Sequence, residues 1–309
     1  MSATIAFVGS VRMECWVRTP KLPRAGEFVG GAAVVEHPGG KGAIQAVQAS
    51  RLGAKAVLVG CLGDDSRGRL VRRALSAETV DLEGLRVVEG GTTGVAFFLL
   101  PPTGPPAVLV APGEKTLLTV EDIDRVASEL AEARVLAMTS EAAPDVLLRA
   151  AKLAQQANAT VVLNASPAKS TTLEVLAATQ ILILREREGH ALLGKAADDC
   201  SASGLARRLA SKGPEQVVVL LDAGGALHFD GEECVPFDPP ARLAQIDPLG
   251  VEGAFVGAFS VRLGEGGRFR DAVEWGVAAA ALVGSRKGGM DVLPTREAVE
   301  GALARAPAG

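Results

Sequence analysis

The residues of this chain that could do chemistry gather at two glycine-rich turns. One is His37-Pro38-Gly39-Gly40-Lys41-Gly42, which runs into an apolar, helix-like stretch over residues 43–52. The other spans residues 246–259, where Asp247, Gly250, Glu252 and Gly253 lead into small and apolar residues. A glycine-spaced turn that opens a helix points consecutive backbone N–H groups at one spot, and the helix dipole adds positive potential there. Glycine also lets the backbone approach a ligand closely. Both turns therefore read as places to hold an anion. Metal chemistry has no such foundation: His37, His190 and His228 have no mutual spacing that suggests ligation or a triad. Cys15, Cys61, Cys200 and Cys234 form no CxxC pair and suit reduced thiols better than a disulfide frame or zinc site.

The elements that position these turns follow from composition and pattern. The chain has 309 residues, 48% of them hydrophobic and 22% charged, enough core material for one large α/β domain over residues 1–309. A formal charge of −4 argues against nucleic-acid binding, which needs a basic patch or stripe. No apolar run reaches membrane-spanning length and the start carries no targeting pattern, so a cytoplasmic address is expected. The run Thr4-Ile-Ala-Phe-Val-Gly9 suits a buried parallel strand. Looser alternation over residues 10–17 and 27–36 predicts strands that leave the main sheet, and residues 94–100 and 107–110 read as a hairpin around a stiff Pro-rich loop at 101–106. From Thr119 onward helices (120–133, 145–156) alternate with strands (135–138, 160–163, 181–184, 217–221). Three more helices are expected around 254–263, 269–283 and 295–303. Such alternation predicts a mostly parallel sheet covered on both faces.

Several stretches, in order, resemble the ribokinase (PfkB) family of sugar and nucleoside kinases. Gly39-Gly40-Lys41-Gly42-Ala43-Ile44-Gln45-Ala46 is similar to that family's first signature. Residues 247–255 are similar to its second, Asp-Thr-Thr-Gly-Ala-Gly-Asp-Ala-Phe. Residues 22–27, 59–65, 162–168 and 285–288 match as well. The resemblance implies a Rossmann-like mostly parallel sheet flanked by helices, with a small β-sheet lid from about 11–36 and 94–110. It also implies dimerisation through that lid, as in many members.

It further assigns positions. Gly40 and Lys41 fall in the substrate signature, Glu141 matches a sugar contact, and Asn164, Glu188, Gly225 and Gly250 match positions around the nucleotide and its phosphates. Other positions depart. Arg12 and Glu14 stand where an Asn and an Asp hold sugar hydroxyls, and Ile44 where an Asn does. Arg185 opens the Asn-x-x-Glu motif that serves phosphate and magnesium, and Leu220 and Asp222 replace the Thr and Gly of a nucleotide contact. Gly253 occupies the place of the catalytic Asp, with Glu252 one residue early.

These exchanges have physical consequences. Isoleucine offers a hydroxyl no partner, which costs about 1–3 kcal/mol. Asp222 and Glu252 bring negative charge toward a phosphate path, while Arg12 and Arg185 bring fixed positive charge suited to carboxylate or phosphate. Against that, Arg185 has Glu186 and Glu188 as local partners, and Glu252 suits a helix start. The expectation is a family member that keeps the cleft but no longer transfers phosphate from ATP, binding or acting on an anionic sugar-like or nucleotide-like molecule clamped by Arg12 and Arg185. The alternative is an ATP- and Mg²⁺-dependent sugar or nucleoside kinase that uses Glu252 as its base.

Overall fold

The structure, a computed structural model, describes residues 2–305 except 32, 114, 116, 169, 170, 198, 199 and 241–248. Asp247 and Pro248 thus lie outside the described residues, which resume in that turn at Leu249. The central strand β1 (Thr4–Val8) is apolar along its length and buried on both faces, as a parallel strand between two helical layers must be. It pairs in parallel with β4 (Lys55–Gly63) and β8 (Val135–Thr139), with Ile5 opposite both Ala56 and Val135. Beyond β4 lies the short β5 (Leu85–Val88). Beyond β8 come β9 (Thr160–Asn164), β10 (Ile181–Arg185) and β11 (Gln216–Leu220), all parallel. An antiparallel pair, β12 (Ala226–Phe229) and β13 (Cys234–Phe237), closes that edge of the nine-stranded sheet.

Alternation along β1 divides the core. Ile5 and Phe7 face one layer, formed by α1 (Lys41–Arg51), α2 (Ser66–Ala77), α9 (Val251–Gly264), α10 (Phe269–Gly284) and α11 (Arg296–Ala304). Ala6 and Val8 face the other, formed by α3 (Val120–Arg125), α4 (Ala127–Glu132), α5 (Pro144–Gln156), α6 (Leu173–Ala177) and α8 (Ala202–Ala210). Between β10 and α8 runs α7 (Glu186–Leu193). Helix α9 is apolar nearly all round and lies between α1 and α10, so Glu252 is a charge at the start of an otherwise buried helix.

A second sheet of four strands, ordered β3-β2-β6-β7, comprises β2 (Arg12–Arg18), β3 (Val34–Gly39), β6 (Val95–Leu100) and β7 (Ala107–Ala111). Its β2–β6 pair is parallel and its two outer pairs antiparallel. Trp16, Ala96, Phe98 and Leu100 pack with Leu249 beneath it, while Val34, Val108 and Leu109 stay exposed. Three local expectations change. The strand expected over 27–36 begins only at Val34, and Phe28 is fully exposed among residues that form no strand. β3 then continues to Gly39, so the first glycine turn is reduced to Gly40 before α1. The helix expected over 120–133 is broken at Val126, whose φ of −108° and ψ of 23° are not helical, at a β-branched residue that tolerates helix poorly.

Candidate active site

The start of α1 is pressed against the exit of β1. Gly40 has φ of 100°, and a Cβ there would stand 2.5 Å from the carbonyl oxygen of Ser10, so only glycine fits. Its N–H donates to Glu14 Oε1 at 3.1 Å, and Trp16 Nε1 donates to Glu14 Oε2 at 3.4 Å. Burial pushes the Glu14 carboxyl up despite the pull of Arg12 and these donors. Glu14 therefore braces the turn. The next N–H, of Lys41, donates to Ser10 Oγ at 3.0 Å, and that hydroxyl donates to Glu141 Oε2. Arg12 Nη1 donates to Glu141 Oε1 at 2.6 Å. Burial alone would raise Glu141, but Arg12, Lys41 and the Ser10 hydroxyl together hold it below the usual carboxylate range. Arg12, Ser10 and Glu141 form the polar floor of a cavity of about 230 Å³ beneath the small sheet.

A second cluster forms where β9 and β10 end opposite the start of α9. Gly250, left-handed at φ 78°, caps that helix. Glu252, in its first turn, accepts from Asn164 Nδ2 at 2.6 Å and lies 3.4 Å from Arg185 Nε. Burial would raise Glu252; Lys41, Arg185 and the Asn164 N–H outweigh it, leaving the carboxyl lowered. Asn164 is itself oriented by Gln45 Nε2, which donates to its Oδ1 at 3.1 Å. Lys41 Nζ donates to Ser166 Oγ at 2.5 Å, and Arg187 Nε donates to Glu188 Oε1 at 2.9 Å. Glu188 Oε2 is buried without a hydrogen-bond partner.

Between these clusters the space beside Gly253 is filled. A Cβ on Gly253 would meet Ile44 Cγ2 at 2.5 Å and Ile44 Cβ at 3.1 Å. The two helices touch there through an isoleucine side chain and a glycine backbone. Farther along the sheet, Leu220 is buried at the end of β11, and Asp222 is exposed with its N–H donating to Glu186 Oε2 at 3.1 Å. Gly225 takes φ of 84° at the turn into β12.

With this geometry in view, the sequence profile of the pfkB family carbohydrate kinases matches residues 2–296. The chain belongs to that family. A ribokinase of Haemophilus influenzae is 30% identical over 304 residues, covering 96% of this chain and 97% of the relative. Among solved structures, a Thermotoga maritima ribokinase superposes with a TM-score of 0.86 at 28% identity, over 98% of this chain and 100% of that one. An Arabidopsis thaliana ribokinase, complexed with ribose and ATP, gives 0.84 at 25% identity over 98% and 99%. The chain thus has the ribokinase-like α/β fold, a large mostly parallel sheet flanked by helices with a small separate sheet. The names of the relatives favour the kinase alternative over the expectation that transfer has been lost.

In this family member Arg12, Glu14, Gly40, Lys41 and Glu141 meet around one end of α1, and Asn164, Arg185, Glu188 and Glu252 around the start of α9. Of the two guanidiniums expected to clamp an anion, Arg12 is paired with Glu141, and Arg185 faces Glu252. Lys41, Arg185 and the α9 start are the groups that could hold phosphate, and the unpartnered Glu188 Oε2 is a suitable oxygen for Mg²⁺, which takes few protein carboxylates beside phosphate and water. No cluster of three or more His, Cys, Asp or Glu suited to a metal occurs among the described residues. Nor is any of their helices long and apolar enough to cross a membrane. Ser10, Gln45, Ser166 and Arg187 belong to the site and were missed in sequence. Gln45 lies inside the quoted stretch 39–46 and Ser166 inside 162–168, and Ser10 and Arg187 lie within two residues of Arg12, Arg185 and Glu188, which were the signals available.

Proposed function

We propose that the protein is an ATP-dependent carbohydrate phosphotransferase of low turnover, working as one domain with its substrate under the small sheet. The full-length relationship to ribokinases supports the class. The contact of Ile44 with Gly253 sets the rate, because no side-chain base stands where the family has one. Phosphoryl transfer rests mainly on positioning and electrostatics. Lys41, Arg185 and the N–H groups of α9 supply the electrostatics here, with Glu188 offering an oxygen to Mg²⁺. The missing base removes about 10²–10⁴-fold. Glu252 is a poor substitute, since both its oxygens face donors and its carboxyl is lowered. Its work is to neutralise Arg185 and Lys41 between turnovers.

A second reading, a binder that transfers nothing, draws on the same Glu252: an internal carboxylate already sits among the cations that a phosphate would use. The test is ADP release from ATP–Mg²⁺ with ribose or fructose. Kinases turn over at about 1–100 s⁻¹, so slow but sugar-dependent release well below that range is expected, insensitive to Glu252→Gln. No release above a protein-free control, together with no thermal shift by ATP–Mg²⁺, would favour the binder. Loss of release in Glu252→Gln would instead install Glu252 as base.

A further inference from the structure

We infer that Glu252 is an internal anion seated where the transferred phosphoryl group must lie, so that a nucleoside triphosphate binds only by expelling it and the diphosphate product is favoured. This rests on the phosphotransferase reading above. In phosphoryl transfer the moving group lies between the donor and the acceptor hydroxyl, beside the base that orients that hydroxyl. The family signature aligns the base with Gly253, and Glu252 precedes it in the first turn of α9. The ladder of that helix starts where Ala254 N–H donates to the Gly250 carbonyl at 2.9 Å, so the N–H groups of Val251, Glu252 and Gly253 have no partner inside the helix. The other groups suited to a phosphoryl oxygen are spent on Glu252. Asn164 Nδ2 donates to its Oε1 at 2.6 Å, Arg185 Nε stands 3.4 Å from its Oε2, and Lys41 and Arg187 act on the carboxylate as well. Gln45 Nε2, donating to Asn164 Oδ1 at 3.1 Å, fixes that amide with its hydrogens toward Glu252. Only 8% of Glu252 is exposed, so salt and water weaken these attractions little.

Charge decides which ligand is admitted. Arg187 is matched by Glu188, whose Oε1 lies 2.9 Å from its Nε. Lys41 and Arg185 then set two positive charges against the single negative charge of Glu252. A terminal phosphate brings about 1.5–2 negative charges. With Glu252 in place the balance turns negative in a largely buried site, which is unfavourable. With Glu252 gone it is close to neutral. A diphosphate ends one phosphoryl group short and leaves Glu252 with its partners. Mg²⁺ travels with both nucleotides and does not change the comparison.

The probes are ADP–Mg²⁺ and AMP-PNP–Mg²⁺, a triphosphate analogue that resists transfer, titrated by calorimetry into the whole protein and into Glu252→Gln. The amide keeps the size of the side chain and removes its charge. In the parent, AMP-PNP should bind no more tightly than ADP. In Glu252→Gln, AMP-PNP should gain at least about 10-fold in affinity while ADP changes by less than about 2-fold. The KM for ATP should fall with it, since the effect lies in donor affinity rather than in the transfer step. AMP-PNP binding the parent more tightly than ADP, no gain in the variant, or an equal gain for both nucleotides would overturn the inference. The parent comparison decides the matter even where Glu252→Gln does not fold. Equal gains beside sugar-dependent ADP release would sink the inference and leave phosphotransfer standing; a selective gain with no release from either protein would do the reverse.

Discussion

Restoring an aspartate at position 253 is the sharpest perturbation the site offers. In the single variant Gly253→Asp, the new Cβ would stand 2.5 Å from Ile44 Cγ2, about 0.9 Å inside the 3.4 Å at which ordinary contact begins. Ile44 is 6% exposed and its branched Cβ lies only 3.1 Å from the same point, so rotating its side chain does not clear the space. Overpacking of this kind costs about 1–3 kcal/mol, and the carboxylate would arrive beside Glu252 in a partly dry site. We expect Gly253→Asp to lose a few degrees of Tm, at roughly 2–4 °C per kcal/mol for a chain of this class, and to gain no activity. Ile44→Asn in the same protein removes the obstructing methyl and restores a polar partner. The double variant should recover most of the lost stability and raise sugar-dependent ADP release by about 10²–10⁴-fold over the parent. A double-mutant cycle read by urea denaturation should give a coupling of about 0.5–3 kcal/mol between the two positions. If Gly253→Asp alone were as stable as the parent and as active as the double variant, the packing argument would be wrong.

Other outcomes follow from the same contacts. Arg185→Ala leaves Glu252 with Asn164, Lys41 and the more distant Arg187; because Arg185 is 20% exposed, the 3–5 kcal/mol of a fully buried broken pair is discounted to about 1–2 kcal/mol, and an unchanged urea midpoint would refute it. Glu141 and Glu252 both have lowered carboxyls. The stability they add is complete above the ordinary glutamate value of about 4.3 and is lost as pH falls through their lower folded values. Glu14 runs the other way: its raised carboxyl makes its contribution greatest when protonated, and that part is lost as pH rises through the folded value. Tm should therefore drop on acidification below about pH 4.3, and Glu252→Gln should flatten that limb; identical profiles would count against a lowered Glu252. Gly40→Ala, forced to φ of 100° against the Ser10 carbonyl, should cost well over about 1 kcal/mol, and a Tm equal to the parent's would contradict the close approach.

Much of the frame was legible in the sequence because its causes are local. The apolar run at β1 and the helix–strand alternation after Thr119 report burial on two faces directly, and a glycine before Lys41 announces a turn that no other residue can make. Partnerships were not legible, because they depend on which strand ends the sheet brings together. Sequence placed Arg185 beside Glu186 and Glu188. The parallel order of β9 and β10 instead carries it to the α9 start, where Glu252 waits with Asn164. The same holds for the two exchanges that look most like damage. Read along the chain, Ile44 is one lost hydroxyl partner and Gly253 is one lost base, far apart and independent. In the fold they are a single contact between α1 and α9, in which the isoleucine methyl occupies the volume an aspartate Cβ would need. A lone Gly253→Asp change is therefore opposed by packing before chemistry is tested, and a lone Ile44→Asn change leaves a hole over a glycine. The pair is stable as it stands, and any return to a side-chain base has to alter both positions together.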